Sequence, residues 1–588
     1  MNKQLETDSI IWNLADLYQG TNDPVIDNEI KSLAKEAEDI RSSYEGRVNE
    51  LGPEELNNLV SRLENLAAGL TRISTFAFLN FSTQTGNPEA GAFLQKIEEA
   101  ASQISTKTVF FELEWNKIKQ KNAEQLFQAE ELQHYRHYLE KLRAYADHML
   151  SRAEETLLLE IAPVGASSWT KLFEKILGHI KFGEKGRSEE EVLADLHSAD
   201  HEVRKQAAAE MTEGLKGQFH VLTHIFNTIL ADKMISDRLR SYPSWIRAMN
   251  IHNEVRESTV ETLTAAVTGR YDLVQRYYHL KKKLTGIKEL KDYDRYAPLP
   301  NLPDNLISWP ECKDMIITSF RRFSPKMAEI ASLFFDRNWI HAPVQEGKKG
   351  GAFAHPCVPD VHPYVMVNYS GSLRDVSTVA HELGHGVHQY LAASRGHFNS
   401  DTPLVLAETA SVFAELIVFH DQLARISGKE KKRAFICQKL ESIFATVFRQ
   451  ISMNRFEDLI HHRRREAGEL SEEAFGELWL ESQKEMFGDS LTLTSDYRVW
   501  WSYIPHFLQA PGYVYSYAFG ELLVLSLYKI YQEEGTPFIE KYIHLLKQGG
   551  SRSPYELVTP FGIDLDEPAF WQGGLAVIDD LLKKIEKE

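Results

Sequence analysis

Cysteine is scarce: three residues, Cys312, Cys357 and Cys437, in a chain of 588. An odd, widely spaced set cannot form a disulfide framework and fits a reducing, cytoplasmic setting. No stretch approaches 18 apolar residues, and the richest run, ELLVLSLYKIY at 521–531, is of helix length and carries charges, so no membrane span is expected. The opening residues, MNKQLETDSIIWNLADLY, show no basic region leading into an apolar run, so no secretory leader is expected. Positive charge is in deficit, with 66 basic against 84 acidic residues and a net charge of −18, which argues against nucleic acid as a partner. What is present is an ordinary globular composition, 43% hydrophobic and 26% charged. The length exceeds one compact core, so two or more lobes are expected.

From about residue 25 to 285 the chain reads as helix after helix, with apolar residues at three and four spacing, as in Leu56, Leu59, Leu63 and Leu66. The stretch 281–306 holds three prolines between Pro298 and Pro303 and reads as a linker. Its basic cluster, Lys281 to Lys283, reads as a solvated helix end. Between about 338 and 372 the chain is rich in Gly and Pro, and Ala352–Ala354 and Tyr364–Tyr369 are candidate strands. Helical character then returns. The expectation is a mainly α protein with one small sheet just before residue 376.

The segment 376–394, VSTVAHELGHGVHQYLAAS, contains His381-Glu382-Leu383-Gly384-His385, an HExxH pattern. On an α-helix, residues i and i+4 are neighbours, so two imidazoles at that spacing can bind one metal ion, Zn²⁺ above all. Glu382 lies beside that ion without binding it, where it can take a proton from activated water. The same pattern also occurs as an ordinary exposed helix face. Here Val376, Val379, Ala380, Leu383 and Val387 point to burial, and a buried His-Glu-His set needs a compensating partner. Two imidazoles leave a third ligand to find. His388 reads as packing. Glu408, in the apolar run TPLVLAETASVFAEL at 402–416, is the stronger candidate, against its reading as an N-terminal helix carboxylate. Glu415 continues its face, where it could support a ligand imidazole. A His₂Glu set leaves a coordination position open, which is the pattern of a catalytic site.

HELGHGVH at 381–388, followed by AET at 407–409, resembles the thimet oligopeptidase family of metallopeptidases, family M3, and within it the oligoendopeptidase F branch. WNLADLY at 12–18, YDRYAPL at 293–299, GKKGGAFAHP at 347–356 and the run NYSGSLRDVSTVAHELGHGVHQ at 368–389 are similar to that branch. The resemblance implies an ellipsoidal, two-lobed, mostly helical fold with a deep substrate channel, divided into an N-terminal helical lobe at 1–200 and a catalytic region at 201–588. It implies one zinc ion per chain, held by His381, His385 and Glu408, with Glu382 as general base. It implies hydrolysis of internal bonds of short oligopeptides. Late in the chain, WWSYIPHFLQAPGYVYSYAFGELL at 500–523 is similar to the family's His-then-Tyr arrangement. That implies His506, Tyr513 and Tyr517 as donors to the substrate oxyanion. The Tyr spacing departs from the family pattern, so Tyr515 could take the place of Tyr513.

The expected mechanism has the peptide extended beside the strand 364–369, with the loop GKKGG at 347–351 either a closing flap or a plain turn. A zinc carboxypeptidase of similar build and a non-catalytic peptide binder are the alternatives. Cleavage preference, substrate length, the physiological peptide and oligomeric state are not legible.

Overall fold

The computed structural model describes residues 1–300 and 306–587, so residues 301–305 of the proline-rich linker lie outside the described residues. Among the described residues the protein is mainly helical with one three-stranded sheet, as expected. The chain forms two compact units, each assembled from three stretches. One comprises Met1–Met149, Pro303–Arg425 and Ile530–Ile563; the other comprises Leu150–Leu302, Ile426–Lys529 and Asp564–Glu588.

In the first unit, α1 (Pro53–Ser82) starts on a proline at its first turn and buries Leu56, Leu59, Val60, Leu63 and Leu66 along one stripe. That stripe packs on Phe110, Phe111 and Trp115, whose indole N–H donates to the Leu139 carbonyl at 3.0 Å. Its later residues, Ile73, Phe76, Ala77 and Leu79, join Trp12, Tyr18, Tyr364 and Met366 in a second cluster.

The sheet comprises β1 (Ile340–His341), β2 (Phe353–His355) and β3 (Tyr364–Met366), in the order β1-β3-β2. β3 runs parallel to β1 and antiparallel to β2. The strand 364–369, expected to receive a substrate, is therefore central and has both edges paired. On the far side of β1, Asn13 donates to the Asn338 carbonyl at 2.8 Å and Ala342 donates to the Ile10 carbonyl at 2.9 Å. Among the described residues, the edge of the sheet without a paired strand is the outer side of β2, where Glu382 and Gln389 meet the Ala354 main chain.

After β3 the chain enters α2 (Leu373–Ala392) through a capping box formed by Ser372 and Asp375. α2 packs closely against α3 (Leu404–Arg425). A Cβ on Gly384 would stand 2.5 Å from the Ala410 carbonyl oxygen and 2.6 Å from the Ser411 Cα. A Cβ on Gly386 would meet the Phe334 ring at 2.6 Å. Glycine in a helix interior costs ~1 kcal/mol against alanine, and here it is what lets the two helices touch. α4 (Thr536–Gln548) packs against α2 and reaches α3 where the Tyr542 hydroxyl donates to the Thr409 carbonyl at 2.9 Å.

The second unit is built on an aromatic core of Phe226, Phe456, Phe475, Trp479, Trp501 and Phe507. Arg204 and Asp294 form a fully buried ion pair at 2.7 Å. One expectation fails here. Lys282 and Lys283 are exposed, but Lys281 is fully buried and donates to the Glu441 carboxylate and, at 2.6 Å, to the Arg295 carbonyl. A tertiary partner, not solvent, takes its charge.

Candidate metal centre

α2 and α3 meet where α2 carries His381 and His385 one turn apart and α3 carries Glu408 on its first turns. Glu408 Oε2 lies 3.3 Å from His381 Nε2 and 3.6 Å from His385 Nε2. Ligand atoms of the three residues all lie within 4.8 Å of one another. Ligands at about 2.0–2.1 Å from a tetrahedral ion stand roughly 3.3–3.4 Å apart, so this spacing fits a metal ion. The donor set, two imidazoles and one carboxylate, is that of an open metal site.

Each donor is held from behind. Glu415, two turns after Glu408, places Oε2 3.6 Å from His381 Nδ1. The His385 ring donates to the Ala407 carbonyl. Ser411 donates to Glu408 Oε2 at 2.7 Å. Burial opposes charge on His381, yet the Glu415 hydrogen bond and the Glu408 charge outweigh it and lift its pKa to about 9. Burial dominates at His385 and, with the charge of His381, lowers its pKa to about 4. The pair thus favours one charged and one neutral ring. A divalent cation between them would replace that proton and leave both rings neutral.

Glu382 is 7% exposed. Burial pushes its carboxyl up to about 7, the range that suits a general base. The Ala354 N–H donates to it. That contact follows from the sheet register. Val365, opposite Ala354, points its N–H to the Trp339 carbonyl, so the main-chain groups of Ala354 face outward. The Gln389 side chain donates to the Ala354 carbonyl at 3.4 Å. This tie between β2 and α2 has no signature in the sequence. Neither does the Ala407 contact, since it is a backbone group.

His388 is not part of the donor group: it is buried with Nε2 3.4 Å from the Thr402 hydroxyl, and burial, with the charge of His385, drops its pKa to about 3. The GKKGG loop is anchored at two of its residues. Lys348 Nζ donates to the carbonyls of Val367 at 2.7 Å, Pro343 at 2.8 Å and His341 at 3.3 Å. Lys349 N–H donates to the Ser82 carbonyl at 2.8 Å.

His506, Tyr513 and Tyr517 belong to the second unit and form a group of their own. His506 Nε2 and the Tyr517 hydroxyl share a hydrogen bond at 3.2 Å, and the Tyr513 ring lies parallel to His506 at 6.4 Å. All three are partly exposed. Tyr515 differs: it is fully buried, donates to Asn250 Oδ1 at 2.9 Å and accepts from Asn253 Nδ2 at 2.8 Å.

Comparison with known proteins adds a lineage. The model of Peptidase family M3 matches residues 194–577, more than half of the chain, and the Oligopeptidase F model matches 114–182. The chain is 26% identical to oligopeptidase PepF of Bacillus subtilis, over 98% of this chain and 87% of that protein. It is 24% identical to an oligoendopeptidase F homolog of Lactococcus lactis, over 100% of this chain and 98% of the relative. Its fold is similar to a crystal structure from Chlamydophila abortus (TM-score 0.86, 24% identity, 98% of both chains). It is also similar to that of oligoendopeptidase-F from Enterococcus faecium (TM-score 0.71, 22% identity, 95% of this chain and 98% of that one).

Proposed function

The chain belongs to peptidase family M3, and from that premise we propose that it is a zinc-dependent endopeptidase hydrolysing internal bonds of short oligopeptides. The observation that carries the reading is the convergence of His381, His385 and Glu408 beside the buried Glu382. A divalent ion held there supplies Lewis acidity toward the scissile carbonyl and toward water. Glu382 takes the water's proton and later delivers it to the leaving amine. The Ala354 N–H keeps the Glu382 carboxylate oriented for that transfer. Glu415 and the Ala407 carbonyl hold the two rings by their outer nitrogens, so the inner nitrogens present lone pairs.

The peptide lies extended alongside β2, the edge strand of the sheet. β3 is closed to it by its two neighbours. His506, Tyr513 and Tyr517 serve as donors to the carbonyl oxygen as its charge develops. Their mutual contacts and partial exposure support this role, and the burial of Tyr515 between Asn250 and Asn253 favours Tyr513 over it. A cytoplasmic location belongs to the same proposal, supported by three unpaired cysteines. So does the division at about residue 200, supported by the two family models meeting near it. Among the described residues, no helix is long and apolar enough to cross a membrane.

The test is a mass-spectrometric digest of a mixed peptide library and one folded protein, with and without chelator. Internal cleavage of peptides alone, abolished by chelation, is expected; release of single C-terminal residues would reject the endopeptidase assignment. Elemental analysis identifies zinc against cobalt or manganese. Glu382→Gln should retain the metal and lose roughly 10²–10⁴-fold in turnover, and unchanged turnover would remove Glu382 as the base.

A further inference from the structure

The unit that carries the metal centre also holds a cavity of about 310 Å³, between α1, the helix Pro88–Ser105 and β2. Leu70 and Phe78 of α1 and Leu94 of the second helix give it apolar wall. Ser74 adds a hydroxyl, Glu98 a carboxylate, and β2 contributes His355.

The position of His355 ties the cavity to the reaction. It follows Ala354, whose N–H meets Glu382 and whose carbonyl accepts from Gln389. One step along a strand is about 3.3 Å, so the cavity opens close to the general base. Phe353 and His355 share one face of the strand, and both rings pack on Phe78, with centroids 5.5 and 5.1 Å from it. A peptide extended alongside β2 sends every second side chain to that same face. A cavity there is placed to receive one of them, near the cleaved bond.

The charge of the cavity is one-sided. Glu98 is exposed and pairs with no cation among the described residues. Burial lowers the pKa of His355, which leaves its ring neutral. Lys349 Nζ stands 5.0 Å from the Phe78 ring centroid without lining the cavity, so the aromatic end suits an uncharged stem and Glu98 a charged head. Lysine and arginine have that form, with an apolar stem that packs on surfaces such as Leu70 and Leu94 and a cation that stays in water.

We propose that this cavity is a specificity pocket for a lysine or arginine side chain of the peptide substrate, with Glu98 meeting the charged head and Ser74 leaving room for the stem. This rests on the peptidase reading above.

A short peptide is made with lysine, norleucine, alanine or glutamate at each position flanking the cleaved bond. At one position lysine should give a kcat/KM roughly two- to fivefold above norleucine, as a partly exposed ion pair allows, with glutamate lowest. Glu98→Gln should bring lysine level with norleucine. Ser74→Phe should fill the cavity and lower both long side chains by about tenfold or more against alanine. Glu98 is exposed, so its variant remains readable whatever Ser74→Phe does to folding. Norleucine preferred to lysine at every position, or a lysine preference undiminished in Glu98→Gln, overturns the proposal. A folded Ser74→Phe protein that ranks long side chains against alanine as the wild type does overturns it as well. Fluorescence anisotropy of the same peptides on metal-loaded Glu382→Gln separates the two readings. A wild type that cleaves none of them sinks the peptidase reading, and the order of affinities then decides on the pocket.

Discussion

Glu415 Oε2 lies 3.6 Å from His381 Nδ1, while Glu408 Oε2 lies 3.3 Å from Nε2 of the same ring. One imidazole is thus held between two carboxylates of one helix. The outer carboxylate keeps a proton on Nδ1 and frees the Nε2 lone pair for a metal. Glu415→Gln should weaken metal affinity by about 10–100-fold, read by competition with a fluorescent chelator. Glu408→Ala should empty the site by elemental analysis. Wild-type affinity in Glu415→Gln would leave Glu415 without a supporting role.

Gly384 has a structural reason that the HExxH pattern itself does not state. Its missing side chain admits the Ala410 carbonyl, backbone that cannot rotate away. Gly384→Ala must push α2 from α3, and the metal donors sit on both helices. Overpacking of this kind costs about 1–3 kcal/mol. We expect a lower melting temperature together with lower metal affinity. Gly217→Ala is the control, since nothing lies within 4 Å of a Cβ placed there. A Gly384→Ala protein that binds metal as the wild type does would contradict the close-approach argument.

The pairing of His381 with His385 was legible because it is local: helical spacing alone places i and i+4 together. The receiving edge of the sheet was not. Tyr364–Tyr369 reads as the stronger strand because Tyr364–Val367 is an apolar run, and that run is apolar because it is central and buried. The edge position falls to Phe353–His355, half-buried and unremarkable in sequence. Lys281 was misread for a related reason. Three consecutive lysines look alike in a sequence, and the one that finds Glu441 is chosen by a helix more than a hundred residues away.

Glu457 offers a pH test outside the metal centre. It is fully buried, accepts from the Gly512 N–H at 2.9 Å, and burial lifts its carboxyl from the ordinary 4.5 to about 8. A raised pKa means the folded state holds the proton more tightly. Its contribution to stability is then fully present below about 4.5, declines as pH rises, and is gone above about 8. Glu457→Gln keeps an acceptor for Gly512 and removes the titration. The variant's melting temperature should therefore gain on the wild type between pH 5 and 8.5, with the two curves converging toward acid. Parallel curves across that range would show that Glu457 is not buried as a neutral acid.

Tyr515 and Tyr517 lie two residues apart on the helix Tyr515–Glu534, about 200° around its axis, and should separate cleanly. The Tyr515 hydroxyl is buried between Asn250 and Asn253. Removing it strands an amide oxygen and an amide N–H, a loss of about 1–3 kcal/mol. Tyr515→Phe should melt earlier and keep its kcat. The Tyr517 hydroxyl instead meets His506 on a partly exposed face. Tyr517→Phe should keep the wild-type melting temperature and lower kcat by roughly 10–10³-fold if it steadies the oxyanion, with KM little changed. The split between kcat and KM matters, because a donor that acts as charge develops leaves ground-state binding alone. Should Tyr515→Phe lose turnover while Tyr517→Phe keeps it, the assignment of these hydroxyls would have to be exchanged, and the buried asparagine pair would need a catalytic explanation.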